Sequence, residues 1–307
     1  MKTLGLNFVS IKSLVNNLKG SLIVDFVIIP AYGNEFLYPY NPIYNYNTNK
    51  YQNCLVIMFI CFYSECRIYP INFEYWLSEV YYSENEKYLT KTDIFINSIN
   101  NLFEQGLLIE NIIFDAGFFN KKVLDKLSKF NIVTRCPKSR LVELNRSKIK
   151  AKEIFSNSYN GDFYYYHKYL SFIISENVKV SNHLGKLVGI ANSKTKLIDK
   201  DLFYLFTNNI NFTSAKVLNL YKSRWKIESF FKILKSYLSL SVFYRNDYNY
   251  VNQRINLALA AFFIIDYISR TIKLNFYQTL KSFQKQKYHY LFEQAFQNTS
   301  KYFYTYV

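Results

Sequence analysis

The chain has 307 residues, room for about two average domains or one larger α/β domain with an insertion, and ample length for a sizeable core. Half of it is hydrophobic and 20% is charged, which excludes gross disorder. The 38 Lys and Arg against 22 Asp and Glu leave a net charge of +16, pointing to a polyanionic partner, nucleic acid ahead of an anionic membrane surface. The longest apolar runs, Cys54 to Tyr63 and Leu257 to Ile265, are far shorter than the roughly 20 residues of a membrane span. No apolar stretch followed by a small-residue cleavage site marks a signal peptide.

Cys54, Cys61, Cys66 and Cys136 form no CxxC pair, so neither a disulfide framework nor a zinc site is expected. His167, His183 and His289 are too scattered for a His-rich metal site or an obvious triad. The 30 Tyr and 28 Phe would suit base stacking. However, Tyr, Phe, Ile, Asn and Lys are all enriched together, as an A/T-rich genome would produce, so aromatic content decides nothing.

In chain order, a short helix is expected over Ile11 to Leu18, closed by Gly20. The run from Ser21 to Ile29, broken by Asp25, reads as a buried strand ended by Pro30 and Gly33. Residues 34–52, rich in Tyr, Asn and Pro, read as a long loop. Two strands in a hairpin follow, Cys54 to Tyr63 and Arg67 to Asn72. Thr90 to Gln105 has helical periodicity with Gly106 as its stop. Ile109 to Phe114 is a strand ending at Asp115, Asn120 to Lys129 a helix and Ile132 to Cys136 a strand. Residues 120–152 carry 11 basic and 2 acidic side chains. Residues 160–206 alternate as strands do, with turn signals at Asn160-Gly161 and Gly185. One long helix from Thr213 to Leu238 and another over Asn252 to Ile272 follow. The order argues for an α/β sheet with helices on its faces.

Asp25 interrupts a strand that otherwise avoids charge, and Asp115 ends one. A buried, unpaired carboxylate costs several kcal/mol, so such residues must be paired, sit at a strand end or bind a cation. In open α/β sheets, sites gather at the carboxyl ends of strands. Two carboxylates in a strongly basic chain are what Mg²⁺ needs to meet phosphates. In the helix 213–238, Tyr221, Arg224, Glu228 and Lys235 fall within an arc of about 60°. They border an apolar stripe made by Leu220, Ile227, Phe230, Phe231, Leu234 and Leu238, while Lys222 and Lys226 are expected to face solvent. An ordinary amphipathic helix with an Arg224–Glu228 pair would show the same spacing.

These residues resemble the DDE transposases of prokaryotic insertion sequences, in the group marked by Y-x2-R-x3-E-x6-K. That signature is Tyr221, Arg224, Glu228 and Lys235, with all three gaps matching. A second signature is Asp115-Ala116-Gly117-Phe118, and the first Asp is Asp25, followed by Ile29-Pro30-Ala31-Tyr32-Gly33. The resemblance covers roughly residues 12–270. It implies an RNase H-like fold: a mixed sheet flanked by helices, with a β-rich insertion before the helix carrying the catalytic Glu. The implied division is a remnant of an N-terminal helical region at 1–20, a catalytic domain split into 21–140 and 207–272, the insertion at 141–206 and a basic tail at 273–307. The resemblance further implies that Asp25, Asp115 and Glu228 hold two Mg²⁺ or Mn²⁺ ions. Tyr221, Arg224 and Lys235 would contact transposon-end DNA.

The implied activity is cleavage at insertion-sequence ends and joining to target DNA by two-metal phosphoryl transfer, which needs no histidine base. The implied partners are terminal inverted repeats, target DNA and a second copy of the chain in the synaptic complex, with no membrane, in a cytoplasmic, nucleoid-associated setting. Two departures stand out: only 24 residues precede Asp25, and Ala116 stands where Arg is frequent. The first keeps an alternative open, a truncated, non-catalytic DNA-binding regulator of transposition.

Overall fold

A computed structural model describes residues 18–31, 39–45, 48–83, 86–155, 162–166, 169–191, 203–241, 243 and 247–284. The first half builds one side of a sheet. Strand β1 (Gly20–Pro30) runs antiparallel to β3 (Lys50–Ser64) and parallel to β5 (Ile109–Phe114), which is parallel to β6 (Asn131–Arg135). Strand β4 (Arg67–Trp76) folds back on β3, and the short β2 (Asn41–Asn45) pairs with the start of β3. The expected RNase H-like arrangement is therefore present as the order β4-β3-β1-β5-β6. The sheet then continues without a break through β12 (Phe203–Thr207), β11 (His183–Ala191), β10 (Tyr169–Val180), β7 (Leu141–Leu144) and β8 (Ser147–Lys150), with β9 (Asp162–Tyr166) on β10.

Residues from Leu55 to Phe62 are wholly buried, as expected for a central strand covered on both faces. One face of the first half carries helix α1 (Lys91–Glu104), whose Phe95 packs on Phe114 and Phe118. Thr90 caps it in a reciprocal pair with Asp93. Gly106, at φ 89°, supplies the left-handed residue after its end. The other face carries α4 (Ser214–Ser223) and α5 (Trp225–Ser236). Phe230 and Phe231 of α5 pack on Phe59 of β3 at 5.5 and 5.7 Å between ring centroids. Helix α6 (Tyr248–Thr271), begun by the Asp247 cap, lies beyond α5 and is followed by α7 (Phe276–Gln284). No single described helix is long and apolar enough to cross a membrane.

Several expectations change. The helix over 11–18 and the Asn160-Gly161 turn lie outside the described residues. Part of the expected 34–52 loop is strand: β2 holds Pro42 because it sits at the end of the sheet order, where a missing N–H is tolerated. The helix α2 (Lys121–Lys126) is shorter than expected, and a single further turn, α3 (Ala151–Ile154), follows β8. The Ser128 hydroxyl donates back to the Asp125 carbonyl, and Phe130 N–H closes a turn on Leu127. The β10–β11 turn falls at Ser181 and Asn182, both at positive φ, the pattern of a tight hairpin. Gly185 lies inside β11, where a Cβ would come 2.4 Å from the Thr207 carbonyl and the Phe206 ring.

The largest correction is the helix that carries the signature. It is two helices meeting at Arg224. The Arg224 amide donates to Tyr221 O and the Ile227 amide to Arg224 O, both at 3.0 Å, a tight i→i+3 turn of the kind often found at hinges. The Ser223 hydroxyl bonds back to Leu220 O at 2.6 Å, a local competitor of the helical ladder. Lys222, expected in solvent, has its ammonium buried, and desolvation lowers its pKa to about 8.

Candidate active site

The parallel pairing of β1 and β5 brings the two aspartates together. The last pair in register is Val24 with Phe114, and Asp25 and Asp115 are the next residues on each strand. Alternation then sorts the faces. Phe26 and Phe114 point toward α1, where Phe26 stacks on Phe118 at 5.3 Å and 22°. Asp25 and Asp115 therefore point the other way, toward α4 and α5. Asp25 lies mid-strand in β1 but at the level where β5 ends, so it reaches the carboxyl-end crevice of the β1–β5 pair.

Helices α4 and α5 bring the remaining residues to this crevice. The Tyr221 hydroxyl donates to Asp115 Oδ1 at 3.2 Å. Arg224 spans the other two carboxylates: Nη1 donates to Asp25 Oδ2 at 2.9 Å and Nη2 to Glu228 Oε1 at 2.5 Å. Its guanidinium carbon is 5.6 Å from the Tyr221 ring centre, and its Nε is buried with no hydrogen-bond partner among the described residues. Glu228 occupies the first turn of α5 and is half-exposed. The helix break at Arg224 has a use here, since the fork of the guanidinium sits at the joint and reaches both acids. Lys235 Nζ donates to the Ile28 carbonyl of β1 at 3.1 Å, three residues past Asp25 on the same strand.

The electrostatics show a cluster short of positive charge. Burial raises the Asp25 carboxyl to about 6. Arg224 and the Phe26 amide, which donates at 2.8 Å, pull it down, while Asp115 and Glu228 push it up. Burial also raises the Tyr221 phenol, which therefore stays a hydrogen-bond donor. Burial lowers the Lys235 ammonium.

The donor set of two Asp and one Glu is all hard oxygen, as Mg²⁺ or Mn²⁺ prefers, and the raised Asp25 carboxyl is the signature of a site that a cation would relieve. In that respect the residues fit a divalent ion. Their present spacing does not: among the described residues no three His, Cys, Asp or Glu are gathered closely enough to hold one. The Arg224 guanidinium fills the cationic place between Asp25 and Glu228 instead.

The roles of two contributors escaped the sequence reading. Arg135, at the end of β6, stacks on Phe203 at 5.1 Å, and Phe203 in turn lies 5.5 Å from Tyr221. It belongs to the basic stretch 120–152, but nothing in that stretch singles it out. Phe118 ties the segment after Asp115 to the residue after Asp25 from behind the sheet, and its place in the Asp115-Ala-Gly-Phe118 element was the available signal.

No curated protein matches the chain. The profile of the transposase DDE domain family matches residues 19–263, most of the chain and every site residue named above. With the RNase H-like sheet and the three acids on one face of it, the chain belongs to the transposase DDE domain family.

Proposed function

We propose that this transposase cleaves DNA at the ends of an insertion sequence and joins those ends to target DNA, with Asp25, Asp115 and Glu228 as the catalytic carboxylates. The observation that carries this reading is the convergence of Asp25 and Asp115, adjacent through the β1–β5 register, with Glu228 linked to Asp25 through Arg224. When bound by these acids, two divalent ions would supply Lewis-acid activation of the attacking water or hydroxyl and stabilise the leaving oxygen. The chain's own groups do the rest. Arg224 is suited to a bidentate phosphate clamp, so a DNA phosphate can draw it off Asp25 and Glu228 and leave both acids open to the cations. Tyr221 holds Asp115 in place through its hydroxyl. Lys235 places a point charge at the same end of β1. The partners in this reading are the terminal inverted repeats, target DNA and a second copy of the chain at synapsis.

The test uses the full chain with DNA carrying the repeats that flank its own coding sequence. Nicking that depends on Mg²⁺ or Mn²⁺ and is lost in Asp115→Asn and Glu228→Gln supports the proposal. Binding without cleavage would turn the reading to the non-catalytic regulator, whose resting state the Arg224-closed carboxylates also fit. Binding in either case should weaken steeply with salt, given the +16 charge.

A further inference from the structure

The edge of the sheet at β4 holds a second concave site. Phe26 of β1 pairs with Met58 of β3, and Met58 with Glu74 of β4, so Glu74 lies on the α1 side, two strands from Phe26. There it lines a cavity of about 690 Å³ between β4, the turn after it, α1 and the start of α6. Tyr75, Tyr81, Tyr82 and Tyr248 contribute to its walls. Tyr75, the next residue on β4, faces the other side of the sheet and meets Tyr248 edge-on at 5.5 Å where the cavity wraps the strand edge, and Asn97 and Asn101 add amides one helical turn apart on α1.

The charge of this cavity runs against the rest of the protein. Its lining has Glu74 and Glu86 against one lysine, Lys87, in a chain of net +16. Two other cavities among the described residues have lysine in excess: Lys19, Lys129 and Lys216 against two glutamates in one, Lys222 and Lys226 with no acid in the other. Glu86 is exposed and accepts from Ser83 at the rim. Glu74 is half-buried. It accepts one hydrogen bond, from Asn72 Nδ2 at 3.3 Å, and takes part in no ion pair among the described residues. Lys91, on the same face, lies over the Trp76 and Phe26 rings at 4.5 and 5.4 Å.

A carboxylate taken out of water without a cation is costly, and aromatic rings attract cations through their electron-rich faces. We propose that this cavity binds an organic ammonium ion, with Glu74 as its counter-ion and the tyrosines as its cage. Burial raises the Glu74 carboxyl with no cation to offset it, the imbalance that such a guest corrects. Anionic ligands are disfavoured by Glu74 and find only Lys87 in the lining. The same chemistry is offered by a free alkylamine and by a lysine side chain presented by a protein.

Calorimetric titration of the full chain, without DNA and at constant ionic strength, tests this. The probes are 1,4-diaminobutane, tetramethylammonium and Nα-acetyl-lysine methylamide. Saturable single-site binding is expected. Glu74→Gln should weaken it about tenfold or more, the loss expected when one member of a desolvated charge pair is removed. Tyr82→Leu should weaken it several-fold, and it also serves as the reading if Glu74→Gln does not fold. Tighter binding of the lysine derivative than of the diamine assigns the site to a protein side chain, and the reverse order to a free amine. No saturable binding of any probe at tens of millimolar, or equal binding by wild type and both variants, overturns the proposal. End cleavage should be unchanged in both variants, so this site and the carboxylate site fail or stand separately.

Discussion

Asp25 pays a desolvation cost that can be measured. Burial, against the pull of Arg224 and the Phe26 amide, raises its carboxyl from 3.8 to about 6. Between those values the folded protein holds a proton that the unfolded chain has released. Unfolding then releases a proton, and the stability contributed by this group falls as pH rises through the window. The penalty is absent below about pH 3.8 and complete above about pH 6. At 1.36 kcal/mol per pH unit it amounts to about 3 kcal/mol. Asp25→Asn removes the titration while keeping the side chain's shape. Whatever Asn itself costs beside Arg224, the unfolding free energy of Asp25→Asn relative to wild type should rise by about 3 kcal/mol between acid and neutral pH. Urea unfolding of both proteins in EDTA across that range reads the difference directly. A difference that is flat with pH, or that falls as pH rises, would refute the burial and charge assignment. At neutral pH, added Mn²⁺ should stabilise wild type more than Asp25→Asn, because a cation relieves the same penalty.

Tyr221→Phe removes the hydroxyl that donates to Asp115; a hydrogen bond to a charged group is worth about 1.5–3 kcal/mol, a loss that chemical denaturation would read. Phe118→Ala empties the space behind both aspartates, where Phe118 meets Phe26, Phe95 and Phe114. It should cost about 3–5 kcal/mol and slow end cleavage far more than it weakens DNA binding, since the ring lies on the face away from α4 and α5. Thr90→Ala breaks the capping pair with Asp93 and should lower the thermal midpoint by an amount equivalent to about 1 kcal/mol, with cleavage unchanged.

What the sequence determined by itself was the set of local preferences and one spacing. Buried β-branched runs marked β1, β5 and β6. Thr90, Thr213 and Gly106 marked helix ends, because a cap acts over three or four residues. The spacing of Tyr221, Arg224, Glu228 and Lys235, together with Asp115-Ala-Gly-Phe118, marked the family. Tertiary structure alone decided how these parts meet. The β1–β5 register sets Asp25 beside Asp115 across 90 residues of chain, and no local pattern encodes a parallel pairing. The break at Arg224 defeats an argument from a single regular helix, yet it lets one guanidinium bridge two acids that come from elements 199 and 4 residues away in sequence. The burial of Lys222 and the half-buried setting of Glu74 were equally invisible, since exposure of a charged side chain depends on what other segments pack over it. Helix ends and strand character are short-range properties of the chain, whereas the electrostatics of a site are set by its long-range contacts.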